Sequence, residues 1–600
     1  MNAPIDNEEI EPAGSVASAV PLLQVKNLTI QVATPSGGKT VLEGIDFSLM
    51  PNEVLCLAGE SGSGKSMTAM AIMGLLPKPA ARITAGQILL GGKDLVGLAE
   101  SEFRKLRATR VAMIFQEPMT SLNPVMTIGE QITEVLSAHQ DITASDAESA
   151  ALALLKEVRM TSPERRLKQY PHELSGGMRQ RVVIAIALAC QPDVLIADEP
   201  TTALDVTVQA EILDLIAKLQ ERAGTAVIMI THDMGVVAEI ADRVIVMRAG
   251  KQVETSAVRQ LFAKPSTDYT RQLLAAVPRL GNVSASPVAF VPENRATVVE
   301  VNELSVRFPV RGGLLNRVQQ NVHAVEKVSF TIDAGETLAL VGESGSGKST
   351  IGKALLSLLP FDGEVRINGR ATQGLSRRSL QGVRRDVQMI FQDPYASLDP
   401  RMRVGDQVAE PLLIHGLANG DELSDRVAWL FERVGLPADA MRRHPHEFSG
   451  GQRQRVCIAR ALALNPKLIV ADECVSALDV SVQAQVLELL RELQEEEGLS
   501  YLFISHDMAV VEQVSDRVAV LYAGQVVETG PASAVLGNPK HPYTQRLLSA
   551  VPIPDPEHKR APFVRSTEDL VSVMHAVGTS PEQQLLQNHG GNHWSAREAG

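Results

Sequence analysis

The octapeptide GESGSGKS occurs twice, at residues 59–66 and 342–349, identical in every letter. It belongs to a longer internal repeat. LQVKNLTIQV near the start answers VEVNELSVRF near residue 300. HELSGGMRQR at 172–181 answers HEFSGGQRQR at 446–455, and ITHDMGVV at 230–237 answers ISHDMAVV at 504–511. The last two pairs are 274 residues apart and the Gly-rich loops 283. The surplus lies in PVRGGLLNRVQQNVHAV, which is longer than its counterpart ATPSGGKTVL, and the middle of the second copy is correspondingly shorter. In a chain of 600 residues such a repeat leaves room for two similar globular units in tandem.

Each copy alternates short apolar strands with longer helical patterns. VLCLAG and LALVG run into the Gly-rich loops, VLIAD and LIVAD are continuous apolar runs, and AVIMITH and YLFISH are two more. That alternation predicts an α/β fold with a mainly parallel central sheet and ligands at the carboxyl ends of its strands. The expected boundaries are a disordered N-terminal tail at 1–20, a first domain at 21–278, a linker at 279–296, a second domain at 297–555 and a largely disordered tail at 556–600. Within that tail LVSVMHAV is the one candidate helix, and His575, His589 and His593 read as solvated.

GxxxxGK[ST] after a strand and before a helix is a phosphate cradle. Gly59, Glu60, Ser61, Gly62, Ser63 and Gly64 curl the backbone so that its N–H groups point at phosphate oxygens, and the helix N-terminus adds its dipole. Lys65 reaches the β- and γ-phosphates, and Ser66 offers a hydroxyl to Mg²⁺. Gly342, Glu343, Ser344, Gly345, Ser346, Gly347, Lys348 and Ser349 repeat the arrangement, followed by Thr350. The apolar runs ending in Asp198-Glu199 and Asp472-Glu473 supply one acid for the metal and a second to deprotonate a water for in-line attack. Ser175-Gly176-Gly177 and Ser449-Gly450-Gly451 each open a long helix, making an anion site from hydroxyl, backbone and helix N-terminus.

The net charge is −13 and aromatics are 4% of the chain, which argues against a nucleic-acid binder working by a basic field or by base stacking. The four cysteines, Cys56, Cys190, Cys457 and Cys474, form no CxxC pair. Cys56, Cys190 and Cys457 sit in apolar runs and read as buried core. No window has the ~18 consecutive apolar residues of a membrane helix, so work at a membrane would need another chain to span it.

In combination, these motifs resemble those of ATP-binding cassette (ABC) ATPases over residues 22–555. The resemblance implies two tandem P-loop ABC ATPase domains, each with a mainly parallel core sheet, an antiparallel β subdomain and a helical subdomain. Gln116 in IFQEP and Gln392 in IFQDP match the Q-loop, counted here with the metal site. TALD at 202–205 and SALD at 476–479 match the D-loop, and His232 and His506 match the histidine that contacts the γ-phosphate. The family buries ATP between the phosphate loop of one domain and the SGG helix of another. Carried over, this pairs Lys65, Asp198, Glu199 and His232 with Ser449–Gly451, and Lys348, Asp472, Glu473 and His506 with Ser175–Gly177. Both sites keep every catalytic group, so both are expected to hydrolyse ATP. Phe308 stands where the family stacks adenine, whereas the first copy has Val32. Cys474 replaces the proline of the first copy beside the catalytic acid, with no chemistry that requires it.

The flanking sequence, IFQDPYASLDPRM and HPYTQRLLSAVP among it, is similar to the two ATPase subunits of dipeptide and oligopeptide importers, here fused as in glutathione importers. The resemblance implies two membrane permeases gripping the cassettes near 117–170 and 393–444. It also implies a periplasmic binding protein, a peripheral place on the cytoplasmic face of the bacterial inner membrane, and no direct solute contact. Nickel, opines or a soluble tandem factor acting on ribosomes are the alternatives. Many members carry a cysteine-bearing segment after the first cassette. Residues 279–296 have no cysteine, so no iron–sulfur cluster is expected.

Overall fold

The computed structural model describes residues 20–34, 37–201, 204–281, 295–312, 317–476, 478–558, 560 and 573–597. The N-terminal tail, save Val20, and linker residues 282–294 lie outside the described residues, as do Thr202, Ala203 and Ala477 of the D-loop motifs.

Each repeat forms a core sheet and a smaller antiparallel sheet. In the first, strand Val54–Ala58 lies at the centre, between Arg243–Arg248 and Ala226–Thr231, with Val194–Asp198 and Val111–Ile114 beyond the latter. All five are parallel, and Lys251–Ala257 adds an antiparallel edge. Val194–Asp198 and Ala226–Thr231 are buried at every position, because helices cover both faces of a parallel sheet. The second repeat matches this order, with Thr337–Val341 between Ser500–Ile504 and Arg517–Tyr522.

The antiparallel sheet packs over the helix that follows the Gly-rich loop. Leu28, Ile30, Leu42 and Ile45 meet Leu57, Ala69 and Ile72 in one cluster, and Leu304, Val306 and Val325 meet Leu340 and Ile351 in its counterpart. The helical part is set by caps. Thr127 forms a capping box with Glu130 at the start of Ile128–His139, and Ser449 forms one with Gln452 at the start of Gly450–Leu462.

The expectation of a largely disordered, solvated C-terminal tail is corrected at residues 573–597. Met574–Ala576, within LVSVMHAV, is a strand paired with Arg317–Asp333, and not a helix. Trp594–Ala596 pairs with Gln525–Pro531 and extends the second core sheet, with Leu586–Asn588 outside it. His593 is buried, its Nε2 2.7 Å from Glu528 Oε1, and His589 Nε2 lies 2.7 Å from Ser595 Oγ. Backbone pairing and a buried carboxylate, neither visible as hydrophobic periodicity, hold this segment. Cys56, Cys457 and Cys474 are buried, whereas Cys190 is only half-buried.

Candidate active sites: two facing nucleotide loops

Each Gly-rich loop joins the central strand of a core sheet to a helix, Lys65–Ile72 or Lys348–Leu355. Gly59 and Gly342 adopt φ of 142° and 147°, and a Cβ there would run into the carbonyl oxygens of Met247 and Leu521. Only glycine lets the loop turn this close to the neighbouring strand. Lys65 Nζ donates to the carbonyls of Gly59 (2.7 Å) and Glu60 (2.9 Å), and Lys348 to those of Gly342 (2.8 Å) and Glu343 (2.9 Å). Both ammonium groups thus sit at the mouth of their loop. Burial pushes their pKa values down, against the pull of Glu199 and Glu473.

The acids follow at the ends of Val194–Asp198 and Leu468–Asp472. Ser66 Oγ donates to Asp198 Oδ1 at 3.0 Å and Ser349 Oγ to Asp472 Oδ1 at 2.8 Å. Burial, joined by the charge of Glu199, pushes Asp198 up to about 6, and Asp472 is raised for the same reasons. Glu199 and Glu473 both have φ of 46°, a left-handed conformation that costs a non-glycine residue roughly 1–3 kcal/mol. The kink turns each carboxylate out of the strand toward a shared set of partners. Gln116 Nε2 donates to Glu199 Oε2 at 2.8 Å and Gln392 Nε2 to Glu473 Oε2 at 2.7 Å. His232 Nδ1 is 3.2 Å from Glu199 Oε1, and His506 Nδ1 3.5 Å from Glu473 Oε1. Burial lowers the pKa of both imidazoles, but the hydrogen bond and charge of the glutamate outweigh it and leave them raised. A carboxylate held by an amide and an imidazole at the rim of a phosphate cradle is equipped to orient and deprotonate a water.

The two halves meet across these loops. Asp205 and Asp479 occupy the N-cap positions of helices Val206–Ala223 and Val480–Glu497, yet neither side chain caps its own helix. Asp205 instead accepts from the backbone N–H of Ser344, and Asp479 from that of Ser61, each in the opposite cassette. Thr207 Oγ1 donates to Glu343 Oε1 at 2.7 Å, and Ser481 Oγ to Glu60 Oε1 at 2.6 Å. A cavity of about 340 Å³ results at the second loop, lined by Lys348, Ser349, Thr350, Gln392, Glu473, His506 and Phe308, with Leu204 and Asp205 from the first cassette.

The signature triplets do not line this cavity. Ser175 accepts the N–H of Met178 at 3.4 Å and Ser449 that of Gln452 at 3.3 Å, each capping its own helix. A Cβ on Gly177 would lie 2.7 Å from Val208 Cγ1, and one on Gly451 would collide with Val482. The SGG turns therefore pack behind the Asp205 and Asp479 loops, and those loops face the opposite phosphate cradle. Sequence reasoning grouped these aspartates into a motif without a contact. The available signal was an aspartate at a helix start in both copies, which reads as an ordinary cap.

Two stretches, residues 42–202 and 325–476, match the ABC transporter family, and residues 253–304 and 527–576 match the oligopeptide/dipeptide transporter C-terminal region. The chain belongs to the ABC transporter family and is a two-cassette ATP-binding ATPase. It is 53% identical to the glutathione import ATP-binding protein GsiA of Shigella boydii serotype 4 and 52% identical to that of Escherichia coli strain K12. Each alignment covers 96% of this chain and 97% of the relative. The dimeric structure of MJ0796, a bacterial ABC transporter cassette, is 28% identical and covers 40% of this chain and 99% of that one, with a TM-score of 0.36.

Proposed function

We propose that this chain is the ATP-hydrolysing motor of a bacterial importer for glutathione or other short peptides. One observation carries the reading: the carboxylate, amide and imidazole around Glu199 recur around Glu473, each beside a phosphate loop that the other half touches. Relatives named for glutathione import, similar over nearly the whole length, support the solute class.

In this reading the triphosphate lies along the loop N–H groups with Lys65 or Lys348 at its β- and γ-oxygens. Ser66 with Asp198, and Ser349 with Asp472, present hydroxyl and carboxylate oxygens, and Gln116 and Gln392 add amide carbonyls. These hard oxygens would suit Mg²⁺, which would neutralise phosphate charge there. Glu199 and Glu473 accept the proton of the attacking water. His232 and His506 hold that carboxylate and face the γ-phosphate. Phe308 stacks on adenine in the second site. Ser175–Gly177 and Ser449–Gly451 reach the γ-phosphate of the opposite site as ATP draws the halves together, a ligand-driven closure.

Two integral-membrane permeases convey the solute, a periplasmic binding protein delivers it, and this chain sits peripherally on the cytoplasmic face of the inner membrane. No described helix is long and apolar enough to cross a membrane. Exposed apolar side chains lie in and just after each Gln loop, Phe115, Met119 and Val125 in one half and Tyr395 in the other, and Leu413 and Ile414 are exposed at the end of helix Val404–Ile414, side chains suited to contact with permease helices.

Uptake in the native cell tests the proposal. The intact chain and a Glu199→Gln, Glu473→Gln double variant are offered labelled glutathione and labelled short peptides separately. Loss of one uptake with the other spared names the solute. Persistence of both, with the variant expressed and membrane-bound, rules out the peptide assignment.

A further inference from the structure

The two nucleotide sites differ in how the wall beside the base is built. In the first cassette, Val32 of strand Leu23–Thr34 is held from both sides, paired with Lys39 on one strand and with Ala81 on strand Ala81–Leu90. In the second, Phe308 pairs with Val322 on strand Arg317–Asp333, and the strand on its other side, Asp362–Ile367, stops at the Ser305–Asp362 pair. Pro360 and Phe361 precede that strand, and a proline has no N–H to extend the ladder. Phe308 to Gly312 and Arg317 to Val322 therefore form a ribbon of two strands, an arrangement only marginally stable alone.

The C-terminal segment provides a third strand. Met574 pairs with Val322, His575 with Asn321 and Ala576 with Gln320, and the N–H of His323 donates to the carbonyl of Val573 at 2.8 Å. The rings of His323 and His575 meet edge to face with centroids 5.1 Å apart. The same segment is fastened to the core sheet by Ser595 opposite Glu528 and by the buried His593–Glu528 contact. Val322 and Phe308 both line the nucleotide cavity, and Phe308 is 40% exposed, open to a base. Among the described residues, the first cassette's strand Gly37–Leu49 has no such third strand on its outer side.

We propose that residues 573–597 are a positioning element for the base of the nucleotide in the second site, bracing the Phe308–Val322 wall in place of the shortened inner strand. The inference rests on the cavity being an ATP site, as proposed above. The segment acts through Phe308 and Val322 and touches no phosphate-binding group. Its removal therefore weakens recognition of the base and leaves recognition of the triphosphate alone.

The test uses the full chain with one site silenced, Lys65→Ala to leave the second site or Lys348→Ala to leave the first. Each background carries either an intact C-terminus, a stop after Arg560, or His575→Pro, which cannot donate into the ladder. Calorimetric titration with ATP and, separately, with tripolyphosphate gives the Kd values. In the Lys65→Ala background the expected result is an ATP Kd raised by about fivefold or more, with the tripolyphosphate Kd unchanged. In the Lys348→Ala background neither value moves. Phe308→Val reproduces the loss, and truncation adds little to it. Equal weakening of ATP and tripolyphosphate, equal effects in both backgrounds, or no effect of either tail variant overturns the inference. If the Lys65→Ala chain with its intact tail binds no ATP at all, the reading of the cavity as a nucleotide site falls first.

Discussion

At the scale of single residues, the two halves are chemically matched. Glu199 and Glu473 share the same backbone angle, the same amide partner and the same imidazole partner. Glu199→Gln and Glu473→Gln should leave equal residual ATPase rates, and the double variant should fall by roughly 10²–10⁴-fold, the usual range for a general base. A marked difference between the two single variants in a steady-state phosphate assay would show that the sites are unequal. The histidines add a pH dependence. Their folded pKa values lie above the ordinary 6.5 because the glutamate outweighs burial. The ion pair thus contributes in full below pH 6.5 and is lost as pH rises through the raised folded value. The gap in Tm between the native chain and His232→Gln should be widest near pH 6 and shrink toward pH 9, measured by scanning calorimetry. A gap that grows with pH would reverse the assignment. These residues were legible in the sequence because each motif is short and its chemistry local. Asp205 and Asp479 were not, since their partners Ser344 and Ser61 are more than 130 residues away in sequence.

At the scale of elements, the signature helices Gly176–Leu188 and Gly450–Leu462 depend on close approach to the helices that follow the Asp205 and Asp479 loops. Gly177 and Gly451 leave no room for a methyl group beside Val208 and Val482. Gly177→Ala should cost about 1–3 kcal/mol through overpacking. It should also displace the Asp205 loop from Ser344, so ATPase activity falls with stability. Val208→Ala in the same chain should restore both, as read by a melting curve and a turnover assay. Stability that recovers without activity would mean that the added methyl still obstructs the reach of the SGG turn to the opposite γ-phosphate, beyond its effect on the packing of the loop. The apolar runs identified the core strands correctly because both faces of a parallel strand are buried. The strands at Met574–Ala576 and Trp594–Ala596 escaped the same reading, being three residues long and held by backbone pairing and one buried histidine.

At the scale of the whole molecule, the chain crosses back on itself after the second cassette. The side chain of Arg560, 8% exposed, donates to Asp214 at 2.8 Å and Glu239 at 2.7 Å, both in the first cassette. The crossing is reciprocated after the first cassette, where the N–H of Gly281 donates to Glu512 at 2.8 Å. Arg560→Ala would remove a largely buried guanidinium that joins two carboxylates of the first cassette, at a cost of about 3 kcal/mol. Scanning calorimetry should then resolve two transitions where the native chain gives one, and a single unchanged transition would mean that the anchor is dispensable. The internal repeat by itself determined that there are two cassettes, each with a Gly-rich loop, an aspartate and a glutamate at a strand end, and a histidine at the end of the next strand, because spacing along the chain encodes local chemistry. Only the tertiary structure decided which groups face each loop from the other half, that the SGG turns stand behind Asp205 and Asp479, and that Met574–Ala576 pairs with the strand opposite Phe308. Those arrangements come from contacts between distant segments, set by how sheet edges and helix faces are covered, and no local pattern of residue types specifies which partner will cover them.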